Sequence, residues 1–349
     1  MDADSARGVL PDVAHRVEVA GFECVIERLV DSQNVSFLGE QIIDVDGANV
    51  AASFSASMAD PGRTPDGRDI EWVEGVGGAR IASYDLGGDG RPILFAHATG
   101  FHAHVWLPVV DRLRNEFHCY AFDERGHGAS PTPPDADFDW HHFGDDARAT
   151  SAAFGLEKPL VVGHSAGGAL LLLAEEEHPQ SWAAIWAYEP VIPEALGPAR
   201  AETSNPLAAG ARKRRADFDS HDAAFANFAS KPPFGHFDPE ALGAYVRYGF
   251  VESADGGVTL ACRPEDEAAT YEHAPTSGAW DRLDELDLPV HVVCGGLSTQ
   301  FSAEVFGHVV KRLDHGSLEV LDGLGHFAPF EDPGRVAGSI REFFGLIGQ

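Results

Sequence analysis

A serine between two glycines, Gly163-His164-Ser165-Ala166-Gly167, carries the strongest chemical signal in this 349-residue chain. The apolar run Pro159-Leu160-Val161-Val162 precedes it, and Ala169-Leu170-Leu171-Leu172-Leu173 follows. The pattern reads as strand, tight turn and helix. A turn that sharp brings strand and helix so close that small residues are needed at 163 and 167, and it lifts the serine hydroxyl above the sheet edge. The free N–H groups of the helix start then lie where an oxyanion would form. A serine at neutral pH is a weak nucleophile and needs a base within hydrogen-bond reach. The chain offers 17 histidines for that task.

Other groupings invite different chemistry and are set aside. His102-Ala103-His104 has no carboxylate close in sequence, and the adjacent His141 and His142 point in different directions at a helix start. Neither has the histidine spacing of a hydrolytic zinc site, so no metal and no cofactor are expected. The glycines of Leu86-Gly87-Gly88-Asp89-Gly90 precede a strand, so no helix start is available there for a phosphate. Arg212-Lys213-Arg214-Arg215 is the only cationic cluster. It reads as a solvated helix face or as a lure for a carboxylate-bearing substrate. Cys24, Cys119, Cys262 and Cys294 are far apart and form no paired motif, which fits free thiols in a reducing compartment.

The elements that must position Ser165 alternate between strands and helices from about residue 70 onward, the pattern of a parallel α/β sheet. Strands are expected at 69–74, 80–86, 92–97, 118–123, 159–163, 183–188, 289–294 and 317–321, with helices at 105–115, 140–154, 166–177, 303–313 and 335–344. Two regions break the rhythm. Residues 1–68 carry short strand-like runs at 17–26, 41–45 and 50–54, then a Pro- and Gly-containing stretch at 59–68 that reads as a linker. Residues 191–285 lose the alternation and carry helical patterns at 208–218 and 238–250. An insertion between two strands of one sheet reads as a cap over their carboxyl ends. The organisation expected is an N-terminal extension (1–68), a core (69–190 and 286–349) and a cap (191–285).

From about Ile70 to Phe344 the chain resembles the α/β-hydrolase superfamily in its cap-bearing branch. The likeness rests on the serine turn and on three further segments in the family's order. These are His97-Ala98-Thr99-Gly100-Phe101, Asp123-Glu124-Arg125-Gly126-His127-Gly128-Ala129-Ser130 and Gly323-Leu324-Gly325-His326-Phe327. The resemblance implies an α/β fold with a mostly parallel eight-stranded sheet flanked by helices and an inserted helical cap. It also implies a catalytic histidine at His326 and oxyanion donors at the N–H groups of Thr99 and Ala166. Ala98 replaces the usual glycine of the oxyanion loop. The family's common acid position, after the strand 289–294, reads Gly295-Gly296-Leu297-Ser298-Thr299-Gln300 and has no acid. Some branches place the acid after the strand that follows the nucleophile helix, and that position is Glu189. The triad implied is Ser165, Glu189 and His326, with the acid holding the tautomer of the base. His102, His104, Trp106 and His164 are expected near the substrate pocket.

Charge bounds the partners. Lys and Arg total 25 against 55 Asp and Glu, a net charge of −30. Such a surface repels phosphate backbones and anionic lipid, so neither nucleic acid nor membrane is expected as a partner. The charge fits solubility or adaptation to high salt. No signal peptide is read in Met1-Asp2-Ala3-Asp4-Ser5, and no run of 18 apolar residues occurs, so a cytoplasmic location is expected. The expected partner is a small molecule, with a homodimer possible. The expected activity is cofactor-free hydrolysis of a small ester or lactone through an acyl-enzyme. Carbon–carbon hydrolysis of a β-diketone-type compound, or a ligand-binding module with little turnover, is the alternative. Dehalogenase and epoxide hydrolase chemistry on this fold needs a carboxylate where Ser165 stands.

Overall fold

The computed structural model describes residues 62–196, 206–254 and 256–347, together with four short strands nearer the N-terminus. The chain divides into two units, Met1–Ala59 and Asp60–Gln349, within the stretch read as a linker. In the first unit, His15–Val19 pairs antiparallel with Phe22–Ile26, and Val30–Asp31 with Asn34–Val35. The strand-like runs at 41–45 and 50–54 lie outside the described residues.

The second unit is built on eight strands: β1 (Glu71–Glu74), β2 (Arg80–Gly88), β3 (Arg91–Ala96), β4 (Phe117–Phe122), β5 (Leu160–His164), β6 (Ala184–Tyr188), β7 (Val290–Gly295) and β8 (Gly316–Leu321). Their order across the sheet is β1-β2-β4-β3-β5-β6-β7-β8. From β4 through β8 every pairing is parallel, whereas β2 runs antiparallel to both β1 and β4. All eight strands coincide with the runs expected from sequence, to within two residues at each end. Parallel strands are buried on both faces, which is why they read as nearly continuous apolar runs. Their alternation decides what each face meets. Leu94, Val161, Ile185 and Val292 pack on α2 (Trp140–Ala153), α3 (Ala166–Glu177) and α8 (Ala303–Val310). Phe95, Val162, Trp186 and Val293 face α1 (Leu107–Leu113) and α9 (Pro333–Leu346).

The insertion between β6 and β7 carries α4 (Pro206–Ala211), α5 (His221–Ala229), α6 (Pro239–Tyr248) and α7 (Pro264–His273). It is not wholly helical. Asp217–Phe218, Val258–Leu260 and Phe250–Glu252 form a three-stranded antiparallel sheet. The helix expected at 208–218 therefore ends at Ala211. Phe218 is instead buried against Phe228 and Phe250, with ring centroids 5.8 and 5.7 Å away, and this tertiary packing overrides the local helical pattern. Phe228, Phe237, Tyr245 and Phe250 join one continuous core with Phe101, Trp106 and Phe330, and the Asp238 N–H donates to the Phe330 carbonyl at 2.7 Å. The insertion thus stands on the loops that leave β3 and β8.

The loop after β4 is a structural knot. Asp123 accepts from the Ala103 N–H at 2.7 Å, the Ala129 N–H at 2.8 Å and the Tyr84 hydroxyl at 2.6 Å. Ser130 donates to the Asp123 carbonyl and accepts from the Ala82 N–H. Arg125, with no exposed surface, forks onto Asp146 at 2.8 and 2.9 Å and reaches Asp137 at 2.9 Å. Removing one partner of such a buried pair leaves a bare charge in the interior. Arg125→Ala is expected to destabilise the fold by about 3–5 kcal/mol, read as a lowered denaturation midpoint in urea. A midpoint shift worth under about 1 kcal/mol would contradict this account of the knot.

Candidate active site

Because β3 and β5 to β8 run in one direction, the residues that follow them all emerge at one sheet edge. This is where ligands bind in open α/β sheets. Ser165 follows β5 with φ 57° and ψ −114°, a strained backbone for a residue with a Cβ. Such a conformation costs roughly 1–3 kcal/mol and persists only when its surroundings hold it. Here the Ser165 N–H donates to the Tyr188 carbonyl at 2.9 Å, and its own carbonyl accepts from Val191 at 3.1 Å and Ala169 at 3.2 Å. A Cβ at Gly163 would lie 2.5 Å from the Gly167 carbonyl oxygen, and one at Gly167 would lie 2.4 Å from the His97 carbonyl oxygen. The two glycines therefore let α3 approach both its own strand and the end of β3.

That approach brings the loop after β3 beside the start of α3. Neither the Thr99 N–H nor the Ala166 N–H has a hydrogen-bond partner among the described residues. His97 braces the loop. Its Nδ1–H donates to the Ala98 carbonyl at 2.8 Å, and its Nε2 accepts from the Glu124 N–H at 2.9 Å. Burial pushes the His97 pKa well below the usual histidine value, so the brace stays neutral.

Glu189 follows β6 at φ 42° and is fully buried. The pairing of Tyr188 with His164 on one side and with Val293 on the other sets Glu189 between the ends of β5 and β7. Its Oε1 accepts from the Gly295 N–H at 2.7 Å, and its Oε2 accepts from His326 Nδ1–H at 2.6 Å. Donation from Nδ1 leaves the lone pair on His326 Nε2, the tautomer a general base needs. His326 lies on the loop after β8, partly exposed. His164, the residue before the serine, donates Nε2–H to the His326 carbonyl at 2.8 Å and ties the two loops together. Burial drives the His164 pKa well below its usual value, with the neighbouring His326 acting in the same direction.

The other residues singled out from sequence make protein contacts. Trp106 is fully buried, 5.3 Å from the Phe95 ring. His102 donates to the Tyr245 carbonyl at 3.1 Å, and His104 stacks on Tyr248 with centroids 4.1 Å apart. In the basic run, Arg212 pairs with Glu265 and Glu272, Arg214 with Glu267 and Tyr245, and Arg215 lies over Phe218. Three of its four side chains therefore tie the insertion together. Among the described residues, two groups have the composition of a cation site, His102–His104–Asp123 and Asp145–Glu177–His178, and neither contains Ser165, Glu189 or His326.

Sequence reasoning missed the supports of His326. The Phe301 ring stacks on the imidazole at 4.7 Å and 16°. The Tyr188 hydroxyl donates to the Gly325 carbonyl at 2.6 Å, and Glu331 accepts from the Gly325 N–H at 2.9 Å. A tyrosine ending an otherwise apolar strand was the only available signal.

The chain belongs to the alpha/beta hydrolase family, whose sequence pattern matches residues 93–339. It is 32% identical over 100 residues to a fluoroacetate dehalogenase from a Burkholderia species, covering 28% of this chain and 33% of that protein. It is 33% identical over 88 residues to an N-formylmaleamate deformylase from Pseudomonas putida, covering 25% of this chain and 33% of that protein. These matches thus span about a third of each relative's length. A solved E-2-(acetamidomethylene)succinate hydrolase superposes with a TM-score of 0.69 at 22% identity, over 80% of this chain and 99% of that one. At that identity the likeness concerns the fold.

Glu189 and Ser298 give contrasting substitutions. Glu189→Gln is expected to lower kcat roughly ten-thousand-fold with the circular dichroism spectrum unchanged, since the amide can impose the wrong tautomer on His326. Ser298→Ala is expected to leave kcat within about twofold, because the Ser298 hydroxyl makes no hydrogen bond to His326 or to any other described group. The reverse ordering in steady-state hydrolysis assays would remove Glu189 from the site.

Proposed function

We propose that this chain is a serine hydrolase that cleaves a small ester or lactone through an acyl-enzyme. Ser165 attacks the substrate carbonyl while His326 Nε2 takes the hydroxyl proton. Glu189 holds the imidazole and stabilises the imidazolium that forms. The Thr99 and Ala166 N–H groups receive the oxyanion. His326 then protonates the leaving oxygen, and water deprotonated by the same nitrogen releases the acid.

One observation carries the reading. A histidine held at Nδ1 by a buried carboxylate, 2.6 Å away, shares a sheet edge with a strained serine and two unpartnered N–H groups. The relatives named for dehalogenation and deformylation share the family, but Ser165 is not the carboxylate nucleophile that dehalogenase chemistry on this fold requires. The likeness to the deformylase adds small formamides to the compounds worth assaying. The insertion packs aromatic side chains around Phe101, next to the oxyanion loop, which favours a substrate with an apolar body.

A fluorophosphonate probe followed by peptide mapping tests this directly. Expected are stoichiometric labelling at Ser165, its loss in Ser165→Ala, and turnover of short-chain aryl esters or lactones. Labelling with turnover only of β-diketones would shift the reading to carbon–carbon hydrolysis, and labelling without turnover would indicate a binding module. An absence of labelling would sink the enzyme readings together.

A further inference from the structure

The two histidines after the oxyanion loop take no part in the chemistry above, and each keeps a buried ring nitrogen without a partner. His102 and His104 are each 2% exposed. His102 uses its Nε2–H on the Tyr245 carbonyl, which leaves Nδ1 as a bare lone pair with no partner. His104 lies flat on Tyr248 with the Tyr84 ring edge-on at 4.4 Å, and its Nε2 also has no partner. Buried polar atoms of native proteins nearly all have one. Ala103, between the two histidines, gives its N–H to Asp123, which centres that carboxylate on the pair. One potential ligand atom from each of His102, His104 and Asp123 lies within 4.8 Å of the others. Asp123 Oδ2 is occupied by Tyr84 and Ala129, whereas Oδ1 accepts only from Ala103 and keeps a lone pair.

We propose that His102, His104 and Asp123 form a binding site for a divalent transition-metal ion of the zinc, nickel and copper class, between the loop after β3 and α6. Two imidazoles and one carboxylate suit such ions and disfavour magnesium or calcium, which take oxygen ligands. At metal–ligand lengths of about 2.1 Å a tetrahedral ion holds its ligand atoms roughly 3.4 Å apart. With those atoms no more than 4.8 Å apart, closing the group needs a shift on the order of 1 Å or less. The outer support is already built. Ligating histidines donate their second N–H to a carbonyl or carboxylate, as His102 does to Tyr245, and Asp123 is fixed by three donors. Its ligands are not residues of the serine chemistry, and the proposal does not depend on that reading. The other group, Asp145–Glu177–His178, lies at the surface with Asp145 already paired to Arg148 and His178.

Titration of the full chain with Zn2+ by calorimetry and with Co2+ by visible absorption tests the site. Expected is an ion bound with the intense absorption of low-coordinate Co2+. His104→Gln is expected to weaken binding at least tenfold, while His178→Ala and His326→Ala leave it within twofold. Loss of the ion in His178→Ala or His326→Ala instead, or its retention in His104→Gln, would overturn the assignment. X-ray absorption of the zinc-loaded wild-type chain keeps the test independent of variant folding. Two histidine nitrogens in the ion's shell are expected. A shell of oxygens alone, or no binding at all, would refute the proposal.

Discussion

The arrangement depends on one close approach of backbone to backbone. The start of α3 lies against the carbonyls of Ala96 and His97, with room for a hydrogen at Gly167 and nothing larger. That contact sets the Ala166 N–H beside the loop that carries Thr99, and it fixes the angle at which Ser165 leaves β5. The strain at Ser165 follows from the same constraint. Hydrogen bonds to Tyr188, Val191 and Ala169 hold it, so the serine is positioned by the sheet itself rather than by a mobile loop.

A second layer of order comes from three buried charged groups that find partners inside the fold. Glu189 enters the interior with both oxygens engaged, one by the backbone of β7 and one by His326. Arg125 does so with Asp146 and Asp137, and Asp123 with three donors. These groups knit loops from opposite ends of the sequence, because an unpaired charge in that interior would be far costlier than the order they impose. Burial pushes the Asp123 pKa up to about 6 despite its donors, a measure of how little water reaches the base of this loop.

Much of this was legible beforehand for a physical reason. Strands buried on both faces must be continuously apolar, so β3, β5, β6 and β7 could be read from composition over five or six residues. Glu189 was pointed to by the family resemblance alone, since the turn after β7 offers no acid and some branches carry one after the strand that follows the nucleophile helix; the structure pairs it with His326. Phe218 was misread as helical because its partners, Phe228 and Phe250, are set by the insertion's own packing. The basic run looked like a free cationic face until its acidic partners, Glu265, Glu267 and Glu272, were brought alongside.

By itself the sequence determined the order of strands and helices, the sharp turn at Ser165 and the placing of His326 after the last strand, since these rest on local periodicity and on glycines that only tight backbone contacts require. Tertiary structure alone decided which tautomer His326 adopts, which carbonyl His164 clamps, and that Asp123 stands between His102 and His104. Those outcomes depend on distances between residues far apart in the chain, and only the packing of the sheet and its insertion sets such distances.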